Sequence, residues 1–554
     1  MNPNSQEIVQ QIRDQFETLL AYVTQSQRDV PQDPQSEEHL QEQVPSAYQV
    51  ECYLLTHLLS LGRTLLLAYI LTQQSRLEQI AKICVNAEML PLHCKKRRAL
   101  RSIFGKITFF RGYYYKAVSK DLGGSKDLGG SSYFLLDARL KLPEHSLSDL
   151  LRDWFSELAC CVPYHKSGTL LKGILSQTLS ARPIEEVVAE DSALVESFYQ
   201  QLPSPIPSTE ASILVVQADG KGVPMLPEIP QPARVRLGKG EKLGRKKEAI
   251  VTSIYTIAPC IRTPQEVINS LFKIPDILFN KTKTSSENTK TSSELNKMKY
   301  RRTDSKNRTG LQKRTGPQNK RVWATLAGKE AGISSLAQQV ALREGEHIKT
   351  RVALTDGSAP LQDKMRQHLS QFPLVLDIIH AVEYLWEAGN SLHGEKSQRR
   401  ESWVKERALL LLCGETQAVI ADLRALASLP SRKKTARIML LKVADYYERN
   451  ASYMHYDAYL ACGWPIATGV IEGACRHLVK DRCELSGMHW RVSGAQALLG
   501  LRSVAENGHW ESFQIYRRER RQASLYGRRL DGEVIRIERQ KAVSVRKVAP
   551  CQVA

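Results

Sequence analysis

Residues 213–222 read ILVVQADGKG, and the acid closing that apolar run decides the expected fold. Ile213, Leu214, Val215 and Val216 make a buried strand. Asp219 ends it, and Gly220 and Gly222 flank Lys221 just beyond. A second run, Val352-Ala353-Leu354, leads to Asp356 and Gly357 in the same way. In an open α/β sheet, groups at the C-terminal edges of the strands face the crevice where ligands collect. A third acid, Glu472, lies just after Gly469 in the helical pattern GVIEGACRHLVKDR (469–482). Any one of the three would read as a turn or cap residue. Together, three carboxylates from distant parts of a chain can hold two divalent cations that clamp the attacking and leaving oxygens of a phosphodiester. Magnesium, which prefers hard oxygen ligands, suits that set.

Charge points to the same chemistry. The 554 residues carry 78 Lys and Arg against 58 Asp and Glu, a formal net charge of +20. Such an excess repels itself and favours a polyanionic partner. No basic amphipathic helix with bulky apolar anchors argues for a membrane surface instead, and no run approaches the ~18 apolar residues of a span. The start, MNPNSQEIVQQIRDQF, has no basic segment followed by an apolar one, so no signal peptide is expected. The eleven scattered cysteines read as reduced thiols of a cytoplasmic protein. Cys475, His477, Cys483 and His489 match no compact zinc finger.

A chain of this length exceeds one core and must hold several domains. Residues 1–90 read as helical, with an apolar stretch over Tyr53–Leu71. Around 99–118, Phe109, Phe110, Tyr113, Tyr114 and Tyr115 alternate with Arg101, Lys106 and Arg111. This basic β-element is either a nucleic-acid contact or a half-buried strand pair. The hexapeptide SKDLGG repeats at 119–124 and 125–130 as a glycine-rich loop. Three helices follow within 146–205. Leu147, Leu150, Leu151, Trp154, Phe155 and Leu158 make the stripe of the first, and Pro183 opens the third. They make either a helix-turn-helix DNA reader or a plain bundle. Residues 281–320 carry twelve Lys and Arg, three acids and almost nothing apolar, so they are expected to be disordered. From about 379 to 460 the pattern is helical. The span from Asp356 to Glu472 is far longer than a crossover needs, so a helical domain is inserted there.

Four blocks carry a resemblance: ADGKGVPM (218–225), VALTDGSAPLQ (352–362), LDIIHAVEYLW (376–386) and ATGVIEGACRHLVKDRCELSGMHWR (467–491). They resemble those of bacterial insertion-sequence DDE transposases of the ISKra type, over roughly Arg98 to Phe513. The resemblance implies an RNase H-like catalytic core, a mixed sheet with helices, interrupted by an all-helical insertion and preceded by a helical and β DNA-binding region. It implies Mg²⁺ dependence, two ions per site with Mn²⁺ able to substitute, and action on the terminal inverted repeats of the element. Asp219 and Asp356 become the first and second catalytic, metal-binding aspartates, and Glu472 the third acid. Asp377-x-x-His380 resembles a D/C-x-x-H signature of related transposases, in which His380 orients a phosphate or a water beside the metal. The alternative for His380 is a hydrogen-bonded histidine at a helix start. Lys221, Arg476, Lys480, Arg482, Trp490 and Arg491 are expected at the DNA, with Trp490 either stacked on a base or in the core. Arg476 and Lys480 fall at i+4 and i+8 from Glu472, on its helical face.

The expected division is a helical region (1–95), a basic β-element with its glycine-rich loop (96–145) and a helix-turn-helix-like segment (146–205). The first part of the core follows (206–385, with the insert 281–320), then the helical insertion (386–462), a final core helix carrying Glu472 (463–513) and a basic tail (514–554). The expected activity is metal-dependent cleavage of DNA at the element's ends followed by strand transfer, by a homodimer or higher oligomer associated with the nucleoid when bound. Its rivals are a decayed transposase acting as a DNA-binding repressor and an RNase H-like junction nuclease.

Overall fold

A computed structural model describes residues 5–25, 45–116, 131–177, 180–226, 246–272, 315–395, 397–485, 487–530 and 534–538. The SKDLGG repeat and residues 281–314 of the basic insert lie outside them. The protein is a mixed α/β protein with two mixed sheets, of six and five strands. The chain divides into two units, residues 1–201 with 508–554, and residues 202–507.

The first unit opens with helices α1 (Ser5–Gln25) and α2 (Ala47–Ser75), which meet where the Tyr22 and Tyr53 rings stack at 3.6 Å. Ser46 caps α2 in a reciprocal capping box with Gln49. Among the described helices α2 is long and apolar enough to cross a membrane by length and composition. Strands β1 (Lys82–Val85), β2 (Glu88–Ser102), β3 (Gly105–Lys116) and β4 (Ser131–Tyr133) follow, so the β-element begins at Lys82 rather than at 96. The β2–β3 hairpin has two environments. Phe109, Ile107 and Tyr114 are buried, and Arg98 and Arg111 are drawn inward to the Asp137 carboxylate on α3 (Leu135–Arg139). The half-buried strand pair therefore accounts for much of the aromatic and basic pattern.

The three expected helices are four: α4 (Asp149–Cys161), α5 (Tyr164–Leu175), α6 (Ala181–Ser192) and α7 (Val195–Gln201). Arg152 of α4 and Asp191 of α6 are joined by two hydrogen bonds of 2.6 and 3.0 Å, and Ser156 adds a third contact to Asp191 at 2.6 Å.

The second unit is built on a five-stranded sheet. Its elements run β5 (Ile213–Pro224), β6 (Lys246–Ile257), α8 (Pro264–Leu271), β7 (Gln318–Thr325), α9 (Lys329–Ala341), β8 (Thr350–Thr355), α10 (Ala359–His368) and β9 (Leu374–Leu376). The strand order is β7-β6-β5-β8-β9. The first three strands are antiparallel neighbours, and β8 and β9 continue the sheet in parallel on the far side of β5. The end of the expected insert, Gln318–Lys320, is thus already strand. Alternation along β5 sends Leu214, Val216 and Ala218 to one face, against Ile333 and Leu336 of α9 and Met365 of α10. Ile213 and Val215 face the other way, with Val352 and Leu354, against α8 and the helices that follow β9. Side chains buried on this scale contribute roughly 1.5–3 kcal/mol each.

Those helices are α11 (Ile378–His393), α12 (Gln398–Leu412), α13 (Thr416–Ser428), α14 (Lys434–Asn450) and α15 (Tyr456–Ala461). The boundary expected at 385/386 falls inside α11, which runs unbroken from the sheet into the insertion. The segment with Glu472 is the short α16 (Gly469–Ala474), continued by a π-helical turn over Cys475–Lys480. Helix α17 (Val492–Glu506) closes this unit at Asn507, not at 513.

The expected basic tail is a return to the first unit. Helix α18 (Trp510–Tyr526) leads to β10 (Arg528–Leu530) and β11 (Arg536–Glu538), and β11 pairs with β1 in parallel. The arginines of the expected basic tail are partly internal. Arg517 is buried and bonds Asp153 of α4 at 2.5 Å, and Arg521 pairs with Asp149.

Candidate metal centre at the strand ends

Strand register brings the aspartates together. The β5–β8 ladder ends at Gln217↔Leu354, and two further steps bring Asp219 beside Asp356. The β8–β9 ladder ends at Thr355↔Leu376, and one further step brings Asp356 beside Asp377, whose amide donates to the Thr355 carbonyl at 2.9 Å. Alternation sends all three toward the face covered by α11, because Leu354 and Val375 precede Asp356 and Asp377 by two, and Val215 precedes Asp219 by four, on that side. All three acids of the row are among the expected site residues, Asp219 and Asp356 as metal ligands and Asp377, with His380, as a group orienting a phosphate or a water beside the metal.

Each carboxylate is held differently. Asp219 accepts from the Gly220 amide at 2.6 Å and from the Cys475 thiol at 3.3 Å. Burial pushes its carboxyl above the usual carboxylate range; the Asp356 charge adds to this, and the Cys475 hydrogen bond opposes it. Asp356 accepts from the Ser358 amide at 2.9 Å. Its backbone is fastened by the insertion: Tyr446 of α14 donates to the Asp356 carbonyl at 2.9 Å, and Arg449 to the Gly357 carbonyl at 3.2 Å. Gly357 has φ +87°, and a Cβ there would collide with the Tyr446 hydroxyl.

Asp377 is fully buried and caps α11 through the Ile379 amide at 3.0 Å. Its other oxygen accepts from Thr468 at 2.6 Å and from His380 Nδ1 at 2.8 Å. That hydrogen bond pushes the His380 imidazolium up to about 9 against the opposing effect of burial, with the charges of Asp377, Glu383 and Asp356 adding to it. Both readings of His380 meet here: it sits in the first turn of a helix with a hydrogen-bond partner, and it faces the acids.

Glu472 stands on α16 with its side chain exposed. The helix is tied to the sheet through Gln217, two residues before Asp219 on β5. Gln217 accepts from the Ile471 amide at 2.9 Å and donates to the Tyr255 hydroxyl at 3.0 Å. Thr468 lies 3.4 Å from Glu472 Oε1 while bonding Asp377. Ligand atoms of Asp377, His380 and Glu472 all lie within 4.8 Å of one another, the one such grouping of His, Cys and acids among the described residues. The π-helical turn begins at Cys475, whose buried thiol is pushed well up by burial and by Asp219, so it stays protonated as a donor. Irregular turns of this kind appear mostly as single turns inside helices at functional sites.

Two of the six expected DNA-facing residues are internal. Arg482 is 1% exposed and its guanidinium lies 5.1 Å from the Trp490 ring centroid. Trp490 is 7% exposed, donates from its indole to the Cys483 carbonyl at 3.1 Å, and pairs its backbone with β5 at Pro224 and Leu226. Their basic and aromatic chemistry is spent on packing the segment after Glu472 against the sheet. Lys221 is half-buried on β5 just past Asp219, whereas Arg476, Lys480 and Arg491 are exposed. The π-turn shifts the helical phase assumed for Arg476 and Lys480, and Arg476 sits 3.6 Å from Asp481.

Gln217, Thr468, Cys475 and Tyr446 are the positioning residues that sequence reasoning did not name. One signal was present: a glutamine inside the apolar run 213–218 has no reason to be buried without a partner. The ten described cysteines are free thiols, in line with the sequence reading. No family model matches the chain, and no curated protein is significantly similar to it.

Proposed function

We propose that the chain is a DDE transposase that cleaves DNA at the terminal inverted repeats of an insertion sequence and transfers the freed strand to a target. The observation that carries this is the sheet order third-second-first-fourth-fifth, with Asp219 on the first strand just past its pairing with the fourth, Asp356 after the fourth and Glu472 on a helix bound to Gln217 of the first. That order, three antiparallel strands followed by two parallel ones, supports an RNase H-like reading of the core. The +20 charge supports a nucleic-acid substrate.

The donor set fits divalent cations. Two aspartates stand side by side in a partly buried site, and the Asp219 carboxyl is already pushed up by burial and by its neighbour's charge. A pair of like charges so held is relieved by a cation. Asp219, Asp356 and Glu472 would hold Mg²⁺ or Mn²⁺. Two such ions, when bound, acidify water and stabilise the attacking and leaving oxygens of a phosphodiester. The protein's own share is to orient: Gln217 and Thr468 hold the Glu472 helix, Cys475 fixes one oxygen of Asp219, and Tyr446 and Arg449 fix the Asp356 turn. Lys221, Arg476, Lys480 and Arg491 supply cations for phosphates around the centre.

The test is Mg²⁺-dependent nicking of DNA carrying the terminal repeats, with Asp219→Asn beside the wild type. Asp219→Asn is expected to abolish nicking, a loss of at least about 10³-fold on the scale of a lost charge-stabilising group. Removing the repelled carboxylate should leave the metal-free melting temperature unchanged or higher, which separates lost chemistry from lost folding. Cation-dependent nicking that persists in the variant refutes the assignment, and DNA binding without nicking in the wild type would make the protein a repressor.

A further inference from the structure

We infer that His380 is itself a ligand of the metal centre, through Nε2, and that the site is a mixed nitrogen and oxygen centre rather than an all-oxygen one. This rests on the reading of the strand ends as a cation site. The register sets Asp377 in the same row as Asp219 and Asp356, and it is fully buried. Its carboxylate already accepts three hydrogen bonds, from Ile379, Thr468 and His380. So engaged, it has little capacity left for a cation, and its effect on the centre runs through the groups it holds.

The chief of these is His380. Nδ1 is committed to Asp377 at 2.8 Å, which fixes the ring and leaves Nε2 as the nitrogen available to a metal. Metal-binding histidines nearly always bond the second ring nitrogen to a carboxylate or carbonyl in this fashion, which raises the basicity of the ligating one. The ring is about 31% exposed, so it is neither sealed in the core nor free on the surface. One of its ring nitrogens lies within 4.8 Å of a carboxylate oxygen of Glu472 and of one of Asp377. Cis ligands on a small divalent ion stand ~3 Å apart for bonds of ~2.1 Å, so modest side-chain movement closes the set. Thr468, reaching Asp377 at 2.6 Å and Glu472 at 3.4 Å, couples the two sides of that set.

An imidazole ligand has a consequence for selectivity. Magnesium holds to oxygen donors, whereas imidazole suits first-row transition ions better. The centre is therefore tilted from Mg²⁺ toward transition ions, for which Mn²⁺ is the probe.

The experiment uses the full chain, freed of metal and titrated with Mn²⁺ and Mg²⁺ separately by calorimetry, with pulsed paramagnetic resonance of the Mn²⁺-loaded protein. Nitrogen coupling from a histidine should appear in the wild type and vanish in His380→Ala. Mn²⁺ affinity should fall at least about tenfold in that variant, with a smaller change for Mg²⁺. Asp377→Asn, which keeps the ligand and loosens its hold, should retain the nitrogen coupling at reduced Mn²⁺ affinity. Melting curves of both variants verify folding, and if His380→Ala fails to fold, wild-type nitrogen coupling that survives in Asp377→Asn supports the inference. Mn²⁺ bound with oxygen ligation alone overturns it and leaves the proposed function standing. An absence of Mn²⁺ binding overturns both.

Discussion

At the scale of single residues, the centre depends on a side chain with no chemistry of its own to offer a substrate. Gln217 is fully buried, and its amide joins the Ile471 backbone of α16 to the hydroxyl of Tyr255 on β6. Leucine there is close in size and carries no polar atom, so the Ile471 amide and the Tyr255 hydroxyl would each lose a partner. A buried group left unpaired costs about 1–3 kcal/mol. Gln217→Leu is therefore expected to lower the unfolding free energy by that order and to lose most nicking, because the Glu472 helix is no longer pinned to the strand of Asp219. Denaturant melts and the nicking assay together check this; full activity at full stability would remove Gln217 from the argument. Asp219, Asp356 and Glu472 were legible in the sequence because each closes an apolar run or opens a helix, although β5 does not end at Asp219 but runs on to Pro224 against β6. Arg482 was misread, and Trp490 left open between a base and the core, because composition cannot say which cation or ring packs inward. Only the backbone pairing of Trp490 with Pro224 and Leu226 does so.

At the scale of elements, the loop after β8 is the most constrained piece of the centre. Gly357 adopts a positive φ and has the Tyr446 ring pressed against the position a Cβ would take, with ring carbons at 2.9 Å. Alanine adds both a left-handed backbone penalty of roughly 1 kcal/mol and a steric conflict with α14. Gly357→Ala should cost stability and displace Asp356, with nicking falling further than the melting temperature alone explains. Tyr446→Phe provides the comparison, since it removes the bond to the Asp356 carbonyl without the collision. Equal activity in Gly357→Ala and wild type would show that the insertion does not tune the loop. Helix periodicity made the insertion helices visible in advance, and β-branched runs did the same for the strands. The π-turn after Glu472 was not visible, because the helical segment there is too short for a shift of phase to show as a change in the apolar period.

At the scale of the whole molecule, cation binding and stability are linked. A ligand that binds only the folded state stabilises it by about 2.7 kcal/mol at a hundredfold excess over its dissociation constant. The melting temperature of the metal-free protein should therefore rise as Mg²⁺ or Mn²⁺ is added, and Asp219→Asn should blunt that rise. Scanning calorimetry across a cation titration measures it, and a flat response in the wild type would mean that the strand ends hold no ion. The C-terminal segment teaches the complementary lesson. Its arginines look like a solvated tail in sequence, yet Arg517 and Arg521 are drawn onto Asp153 and Asp149, and β11 completes the first unit's sheet beside β1. By itself the sequence determined the α/β class, the apolar strand runs that lead to acids and the helical character of the insertion, since these follow from local periodicity and punctuation. The tertiary structure alone decided that Gln217 and Thr468 hold Glu472 to the row of acids, and which cations face inward. Those outcomes depend on strand register and on contacts between residues hundreds of positions apart, and no local pattern encodes either.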